Sequence, residues 1–463
     1  MTGKRVGDFE ITDVYDLKQE EFEKFRDEHD DFEYWEEGDI VYTAEEYREE
    51  LFGDLERGQV FTVSKYFGND EKVVIPDVAE QLSEGLFEGN GKIRSVTVPD
   101  GIKVISDSVF KNCTALEEVR LGKGVTEISA FAFYGCTALK EIEIPEAITI
   151  IRREVFGKCT ALTLITVPDN VSELGESAFS DCSSLSCVHI GSGLKRIRNL
   201  AFARCKSLKE ISFPQSLQQV ELTAFSESGI EELYIPKNVD SVGLPPFTNC
   251  SNLKKIEVDP ENAHLICKDN CVIRKSNGML LAALGKFKLP DDGSIKKIWH
   301  WMFYWNEDLT EIDIPEGVTH LYHSVFAGCK NLRRVSLPGT LEIIGEKDFE
   351  GCSALEEIVI PASVEEVESY AFSYSGIKKL VVKRGVKVLG FNAFNGCKSL
   401  VEAYIPSSVY KIDCGLFSGE LFRGCNEKLC VYMEKRENGT HNYLAKFLGN
   451  VKVKFIDKDK IFD

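Results

Sequence analysis

Apolar residues recur along this chain with a period of 23 residues, and phenylalanine marks the period most clearly. The marker positions are Phe87, Phe110, Phe133, Phe156, Phe179, Phe202, Phe225 and Phe247, then, after a gap, Phe303, Phe326, Phe349, Phe372, Phe394 and Phe417, with Phe422 in a last irregular turn. Between them, an L-x-x-I-x-I segment alternates β-branched and other residues, which predicts a short strand. Eleven of the 14 prolines of the chain directly follow that segment, so proline ends strands and does not interrupt them. Such a period predicts a solenoid in which each coil adds one strand to a parallel sheet.

The repeat also predicts which residues form the core. The Leu, Ile, Val, Ala, Phe and Cys positions are expected to point inward, because a single coil cannot bury its apolar face alone. Nine cysteines share one inward position and a tenth takes the equivalent place in the last coil: Cys113, Cys136, Cys159, Cys182, Cys205, Cys250, Cys329, Cys352, Cys397 and Cys425. We expect buried free thiols there, since free cysteine behaves as a small apolar residue, and stacked thiols suit a reducing compartment.

The motif A-F-x-G-C-x-x-L-x-x-I-x-I-P, as it stands around Phe133, resembles the BspA-type leucine-rich repeat family. The resemblance covers residues 71–433 and implies an α/β repeat solenoid, a right-handed coil of about fifteen 23-residue repeats with a parallel β-sheet face. Residues 259–289 resemble the hairpin insertion of that family, and residues 434–463 resemble its C-terminal cap. The resemblance further implies a non-catalytic adhesion or protein-interaction role, often at the cell surface, and some relatives bind host matrix proteins.

Residues 1–70 do not follow the repeat and are predicted to form a separate N-terminal element. Leu17–Phe32 and Thr43–Glu56 have patterns typical of helices, and a capping box, Thr43-x-x-Glu46, begins the second. We expect this acidic helical element to cover the open end of the first coil. Alternatively, it binds a basic partner or is an independent interaction module.

Charge narrows the classes of partner. The 463 residues carry a net charge of −20, and residues 1–58 alone hold 21 acidic and 7 basic side chains. An acidic chain without a basic stripe is a poor candidate for binding nucleic acid or anionic membranes. No apolar run resembles a signal peptide or is long enough to span a bilayer. If the N-terminus is complete, a cytoplasmic location is expected, whereas the family resemblance implies the cell surface or secretion.

The sequence offers no sign of catalysis. Phosphate-binding loops, nucleophile elbows, H-E-x-x-H and dinucleotide-binding glycine motifs are absent from it, so we expect neither catalytic residues nor a cofactor. His320 and His323 form an isolated pair, and two histidines alone rarely hold a catalytic metal. Cys267 and Cys271 lack a second Cys or His pair at the usual spacing. No metal site is therefore predicted.

The repeat phase identifies a first candidate binding surface on the outer side of the predicted sheet. Acidic residues outnumber basic ones there, which favours a cationic patch on a protein partner. An uncharged stretch suited to a contact comprises Leu164, Thr166, Cys187, His189, Ser212 and Tyr234, and Tyr404 follows further along. The alternative interpretation is an ordinary sheet exterior.

The segment from Trp299 to Trp305 is a second candidate, because it holds three of the four tryptophans. Its outward residues and their neighbours one coil later are Trp299, Trp301, Tyr304, Trp305, Tyr322 and His323. We expect the neighbouring insertion to fold over this cluster and bury it; an open cluster would instead be an interface hot spot or a sugar-stacking platform. Two functions thus remain: a protein-interaction scaffold, and a carbohydrate-binding or enzyme-accessory module that uses the cluster.

Overall fold

The structure is a computed structural model, and it describes residues 4–13, 18, 35–37, 40–42, 61–221, 223–242, 252–284, 287–413, 420–435 and 444–457. The chain divides into two compact units, unit 1 (Met1–Asn238 with Pro246–Leu253) and unit 2 (Val239–Pro245 with Lys254–Asp463). Apart from Lys18 and a helical turn at Leu444, the regular secondary structure of the described residues is β-strand. The expected α/β class is therefore wrong in its helical part.

Eighteen strands lie in unit 1. They are β1 (Lys4–Val6), β2 (Phe9–Asp13), β3 (Trp35–Glu37), β4 (Ile40–Tyr42), β5 (Phe61–Tyr66), β6 (Lys72–Val74), β7 (Gln81–Leu82), β8 (Ser95–Thr97), β9 (Val104–Ile105), β10 (Glu118–Arg120), β11 (Glu127–Ile128), β12 (Ile150–Ile151), β13 (Leu164–Val167), β14 (Glu173–Leu174), β15 (Cys187–Ile190), β16 (Arg196–Ile197), β17 (Gln219–Val220) and β18 (Glu232–Ile235) among the described residues.

The described part of unit 2 also holds eighteen strands. They are β19 (Ser241–Val242), β20 (Lys255–Val258), β21 (Leu265–Lys268), β22 (Cys271–Arg274), β23 (Met279–Ala283), β24 (Lys297–Ile298), β25 (Glu311–Asp313), β26 (His320–Leu321), β27 (Arg334–Ser336), β28 (Ile343–Ile344), β29 (Glu357–Ile360), β30 (Glu366–Val367), β31 (Lys379–Val382), β32 (Val388–Leu389), β33 (Glu402–Ile405), β34 (Lys411–Ile412), β35 (Cys430–Glu434) and β36 (Lys452–Ile456).

A regular coil contributes two strands and not the single strand that the sequence predicts. The longer strand comes from the L-x-x-I-x-I segment and pairs in parallel with its counterpart one coil later, as β13 does with β15. The second strand has only two residues and pairs in the same way, as β14 does with β16. Each unit thus has a long-strand face and a short-strand face. Two residues are too few to show the alternation by which a strand is recognised.

The turn around the repeated phenylalanine closes each coil. In unit 1 the rings from Phe87 to Phe225 stack with centroids 5.1–5.6 Å apart and are at most 2% exposed. The residues two before and two after the phenylalanine have positive φ in most described coils, as at Glu154 (52°) and Lys158 (59°). Left-handed residues cannot continue a right-handed helix. This backbone explains why the coils close with turns instead of helices.

The cysteine prediction is confirmed for eight of the ten positions. Cys113, Cys136, Cys159, Cys182, Cys205, Cys329, Cys352 and Cys397 are fully buried free thiols. Each Sγ donates to the carbonyl oxygen of the phenylalanine one coil earlier, at 2.9–3.2 Å. Burial raises the pKa of Cys113 and of Cys329 to about 12, so these thiols stay protonated. Cys425 is half-buried, and Cys250 lies outside the described residues.

Antiparallel strands extend the N-terminal end of unit 1. β1, β2 and β5 pair in that order, and β5 joins the short-strand face through β7. The rings of Phe9 and Tyr66 lie 6.4 and 5.3 Å from that of Phe87 and cover the first ring of the stack. The helices predicted within residues 17–56 lie outside the described residues, except for Lys18, as do Phe247 and Phe417.

The insertion in unit 2 joins the short-strand face. β21, β22 and β23 form an antiparallel sheet, with the Ser276-Asn277-Gly278 turn between β22 and β23. β23 then pairs in parallel with β24, with Met279 opposite Lys297. Phe287 stacks on Phe303 at 5.2 Å and thus begins the phenylalanine stack of this unit. The hairpin strands therefore pack beside the short strands, and Phe287 of the insertion covers the inward ring of the Phe303 turn.

Candidate binding surfaces

The most exposed aromatic side chains of unit 2 include three in the Phe303 turn. Trp301 and Trp305 are the left-handed residues on either side of Phe303, with φ of 56° and 54°. Trp301, Tyr304 and Trp305 are 45%, 47% and 52% exposed, and we call them the aromatic ridge. The expectation that the insertion buries this cluster is wrong for these three residues, because the hairpin extends the short-strand face instead.

The remaining predicted members of the cluster lie at the base of the ridge. Trp299 is half-buried, and its ring centroid lies 5.1 Å from Tyr322 and 4.7 Å from His300. Trp301 contacts His323 edge to face at 5.8 Å. The structure therefore brings Trp299, Tyr322 and His323 together beneath the ridge, as neighbouring coils of one unit.

Trp305 is held in place by the next coil. The ammonium group of Lys330 lies 4.6 Å from the centre of the indole ring, a cation–π geometry. Gly328 lies against the same ring, since a Cβ added there would be about 3.0 Å from three ring atoms. This contact was not predicted from the sequence. A glycine one coil after an exposed aromatic residue could have indicated it, because Tyr374 lies over Gly396 in the same way.

A cavity of about 370 Å³ opens beside the ridge. Its polar lining comprises His300, His320, Tyr322, His323, Glu346 and Glu368. His323 Nδ1 lies 3.7 Å from Glu346 Oε2, whereas His300 Nδ1 is buried without a hydrogen-bond partner. Burial, and secondarily the nearby His323, lowers the pKa of His300, which favours its neutral form. In the part of the chain that the structure describes, no three His, Cys, Asp or Glu side chains are placed to hold a metal ion.

The predicted contact stretch on the long-strand face of unit 1 is interrupted by charge. Leu164 and Thr166 are exposed and lie in register with Cys187 and His189. Cys187 Sγ is 3.5 Å from His189 Nε2. Ser212 and Tyr234 are also exposed, but Glu210 and Glu232 stand next to them on the same face. The uncharged area is therefore smaller than the sequence suggests.

On the long-strand face of unit 2, Tyr404 belongs to an ordered group. Its ring stacks on Tyr432 at 4.9 Å with an interplanar angle of 12°. Lys379 lies 5.8 Å from the ring centre of Tyr404, and Lys454 lies 5.2 Å from that of Tyr432. Burial first, and a hydrogen bond with Glu402 second, raise the pKa of Tyr404 to about 12. Tyr432 could not be predicted as its partner, because the irregular last coil moves it off the 23-residue step.

A larger cavity, of about 1130 Å³, lies between the insertion and β25. Phe287, Leu309 and Asn270 are among its lining residues, together with Arg334. Arg334 pairs with both outward carboxylates of β25, Glu311 at 3.3 Å and Asp313 at 2.7 Å. Nothing in the repeat pattern predicts this cavity, because it arises where the insertion interrupts the long-strand face ahead of β25.

Comparison with known proteins points to one family. The model of the BspA type leucine rich repeat region matches in six copies, over residues 65–186, 182–271 and 294–423. No curated protein matches the chain at a significant level.

Solved structures with the same fold include three bacterial proteins. A leucine rich cell surface protein from Faecalibacterium prausnitzii A2-165 is 22% identical with a TM-score of 0.53, over 88% of this chain and 96% of that one. A leucine-rich repeat protein from Bacteroides ovatus is 25% identical with a TM-score of 0.51, over 92% and 91%. The pneumococcal vaccine antigen PcpA is 19% identical with a TM-score of 0.51, over 91% and 98%. None of the described residues of the present chain form an apolar helix of the length that a bilayer crossing requires.

Proposed function

The chain belongs to the BspA-type leucine-rich repeat family, and on that premise we propose that it is a non-catalytic scaffold that binds a protein partner through the aromatic ridge. The observation that carries the proposal is the exposure of Trp301, Tyr304 and Trp305 in a single turn. Tryptophan and tyrosine are the residue types that most often dominate the binding energy of an interface.

The backbone of the ridge supports a contact role over a packing role. A bulky residue with φ near +55° is strained by roughly 1 kcal/mol, and Trp301 and Trp305 both have such a φ. Their indole rings gain little from burial in this chain, since about half of each remains exposed. Small residues such as Ser324 occupy the same left-handed position elsewhere. The fold therefore does not require tryptophan at these two positions.

The class of partner rests on analogy with relatives. The F. prausnitzii protein is described as a cell surface protein, and repeat solenoids bind partners over extended surfaces. We accordingly infer that the partner is a host matrix or other cell-surface protein, and that this chain acts at the cell surface or after secretion. The acidic character of the whole chain, with a net charge of −20, favours a partner with a cationic patch.

The test compares two variants of the purified chain as bait. Trp301→Ala/Trp305→Ala removes both tryptophans of the ridge. Tyr374→Ala removes an aromatic residue that is 57% exposed and occupies the same position in its coil as Trp305. Captured matrix and cell-surface proteins are identified by mass spectrometry. We expect the double variant to lose partners that the wild type and Tyr374→Ala retain. Equal capture by all three proteins would exclude the ridge as the binding site.

The exposed ridge favours one second candidate, a carbohydrate-binding module. Exposed indole rings can stack on sugar rings, and each ring has an apolar body with a polar handle. A glycan array probed with the wild type, Trp299→Ala and Trp301→Ala tests this function. Binding that only the Trp301→Ala change abolishes would favour the saccharide over the protein partner, because Trp299 is half-buried and less accessible.

A further inference from the structure

The C-terminal coils have a charge opposite to that of the rest of the chain. Residues 376–463 hold 16 Lys or Arg and 9 Asp or Glu, a net charge of +7 in a chain of net charge −20. The whole-chain charge concealed the local excess.

Part of this charge is organised on the long-strand face of unit 2. Lys379, Tyr404, Tyr432 and Lys454 lie on β31, β33, β35 and β36, which are adjacent strands in this order, and we call them the Lys–Tyr row. The two tyrosine rings cover one face of each other. The lysine ammonium groups lie over the rings from the two outer sides. The ring edges and hydroxyl groups are therefore what the row presents to a partner.

The ring edges and the lysines of the row favour an anion. The edge of an aromatic ring carries partial positive charge, and the ammonium groups are cationic. The hydroxyl group of Tyr404 is already hydrogen-bonded to Glu402. With a pKa of about 12, Tyr404 keeps its proton near neutral pH. Of the ten residues in outward phase on these four strands, three are lysines and two are acidic, Glu402 and Glu434. Glu434 is buried and paired with Arg384.

Protection of a sheet edge explains only part of the row. Lysines on the last strand of a sheet discourage pairing between sheets, and Lys452 and Lys454 on β36 fit that role. Lys379 does not, because β33 and β35 separate its strand from β36. The stacked tyrosine pair also lies inside the sheet. A row built over four strands is better explained by an anionic partner.

The chain itself contains a segment of matching charge. Residues 27–39 hold eight Asp or Glu and no Lys or Arg, and three aromatic residues, Phe32, Tyr34 and Trp35, stand among them. Aromatic residues beside carboxylates suit a row that combines tyrosines with lysines. We propose that this acidic segment of one copy binds the Lys–Tyr row of a second copy, so that the chain self-associates head to tail.

Such an interface has two consequences that can be measured. It is heterologous, so each copy uses two different surfaces and either can be removed without affecting the other. It is also electrostatic, so salt should weaken it: the Debye length falls from about 30 Å at 0.01 M to about 3 Å at 1 M. Association is therefore expected at low ionic strength and is lost at high ionic strength.

Sedimentation velocity of the full chain tests the proposal. The row variant is Lys379→Glu/Lys454→Glu, and the acidic-segment variant is Asp27→Asn/Glu28→Gln/Asp30→Asn/Asp31→Asn. We expect the wild type to associate at low salt and each variant alone to associate at least about tenfold more weakly. A mixture of the two variants should form 1:1 heterodimers, because the first keeps its acidic segment and the second keeps its row.

A control separates the row from net charge. Lys123→Glu/Lys140→Glu changes the charge of the chain by the same amount at two exposed lysines of unit 1, and it should associate like the wild type. A wild type that stays monomeric at low salt, or a mixture without heterodimers, would overturn the proposal. A third outcome would also overturn the proposal: the wild type stays monomeric and binds heparin, and the row variant does not bind heparin. The row would then be a binding site for an acidic polysaccharide.

Discussion

The two sides of the Phe303 turn have opposite properties. Phe303 is 2% exposed and stacks between Phe287 and Phe326, whereas Trp301 and Trp305, two residues away, are 45% and 52% exposed. The inward position holds phenylalanine throughout the stack. The outward left-handed positions hold residues as different as serine, glutamate, leucine and lysine in other coils. Packing therefore determines the inward residue and leaves the outward residue open to selection for binding.

The largest expected effect is on the inward side. Phe179 is fully buried, with rings 5.4 Å away in both neighbouring coils. Phe179→Ala should lower the free energy of unfolding by about 3–5 kcal/mol, because it removes a ring and leaves a cavity. The matched control is Phe131→Ala, which removes the same ring from a half-buried outward position. Its cost should be at most about 1 kcal/mol. Equal costs in urea unfolding would contradict the comparison.

Asp348 is an exception on the inward side, and it predicts a pH-dependent effect. The side chain is fully buried, where other coils place an apolar residue before the phenylalanine. Its two oxygens accept the backbone N–H groups of Val325 (3.0 Å) and Gly345 (2.7 Å). Burial raises the pKa of Asp348 well above its ordinary value, although these hydrogen bonds oppose the shift.

The sign of this effect follows from proton linkage. The folded state holds the proton to a higher pH than the unfolded state does, so the wild type loses stability as the pH rises above about 4. Asp348→Asn has no proton to lose. The Tm of the variant minus that of the wild type should therefore increase between pH 4 and pH 8, whatever constant cost the altered hydrogen bonds add. A difference that stays constant over this range would show that Asp348 is ionised in the fold.

The fold was predictable as far as the 23-residue step extends. The phenylalanine stack and the buried cysteines repeat at one position per coil, so the sequence alone assigns Phe179 and Cys159 to the core. The short-strand face was missed, because two residues carry no readable alternation. The closing turns were missed for a different reason: left-handed residues such as Glu154 and Lys158 are not types that favour positive φ.

The candidate sites were less predictable, because they depend on how the insertion and the irregular last coil pack against the regular coils. The phase identifies Trp301 and Trp305 as outward residues. Their exposure depends on the pairing of β23 with β24, which no local pattern indicates. Likewise, Tyr404 could be placed on the outer face, but its partner Tyr432 follows after 28 residues instead of 23, and only the register of β33 with β35 brings the two together.

A smaller effect tests the support of the outward side. Gly328 has φ of +77°, and Gly328→Ala would place a methyl about 3.0 Å from the ring of Trp305. Gly351→Ala is the matched control, because its φ is +71° but its nearest atom is 3.9 Å away. Both changes should cost about 1 kcal/mol through backbone strain. Only Gly328→Ala should also alter tryptophan fluorescence; an unchanged spectrum would mean that Trp305 does not rest on Gly328.

The smallest expected effect on stability is that of Trp301→Ala on the ridge itself. Nearly half of this side chain is already in water, and its removal should change the free energy of unfolding by no more than about 0.5 kcal/mol. Trp299→Ala, at the half-buried base of the ridge, should cost more. Thermal unfolding monitored by circular dichroism measures both. If Trp301→Ala lost as much stability as Phe179→Ala, the ridge would belong to the core. The difference between the two sides of the turn would then no longer support a binding role.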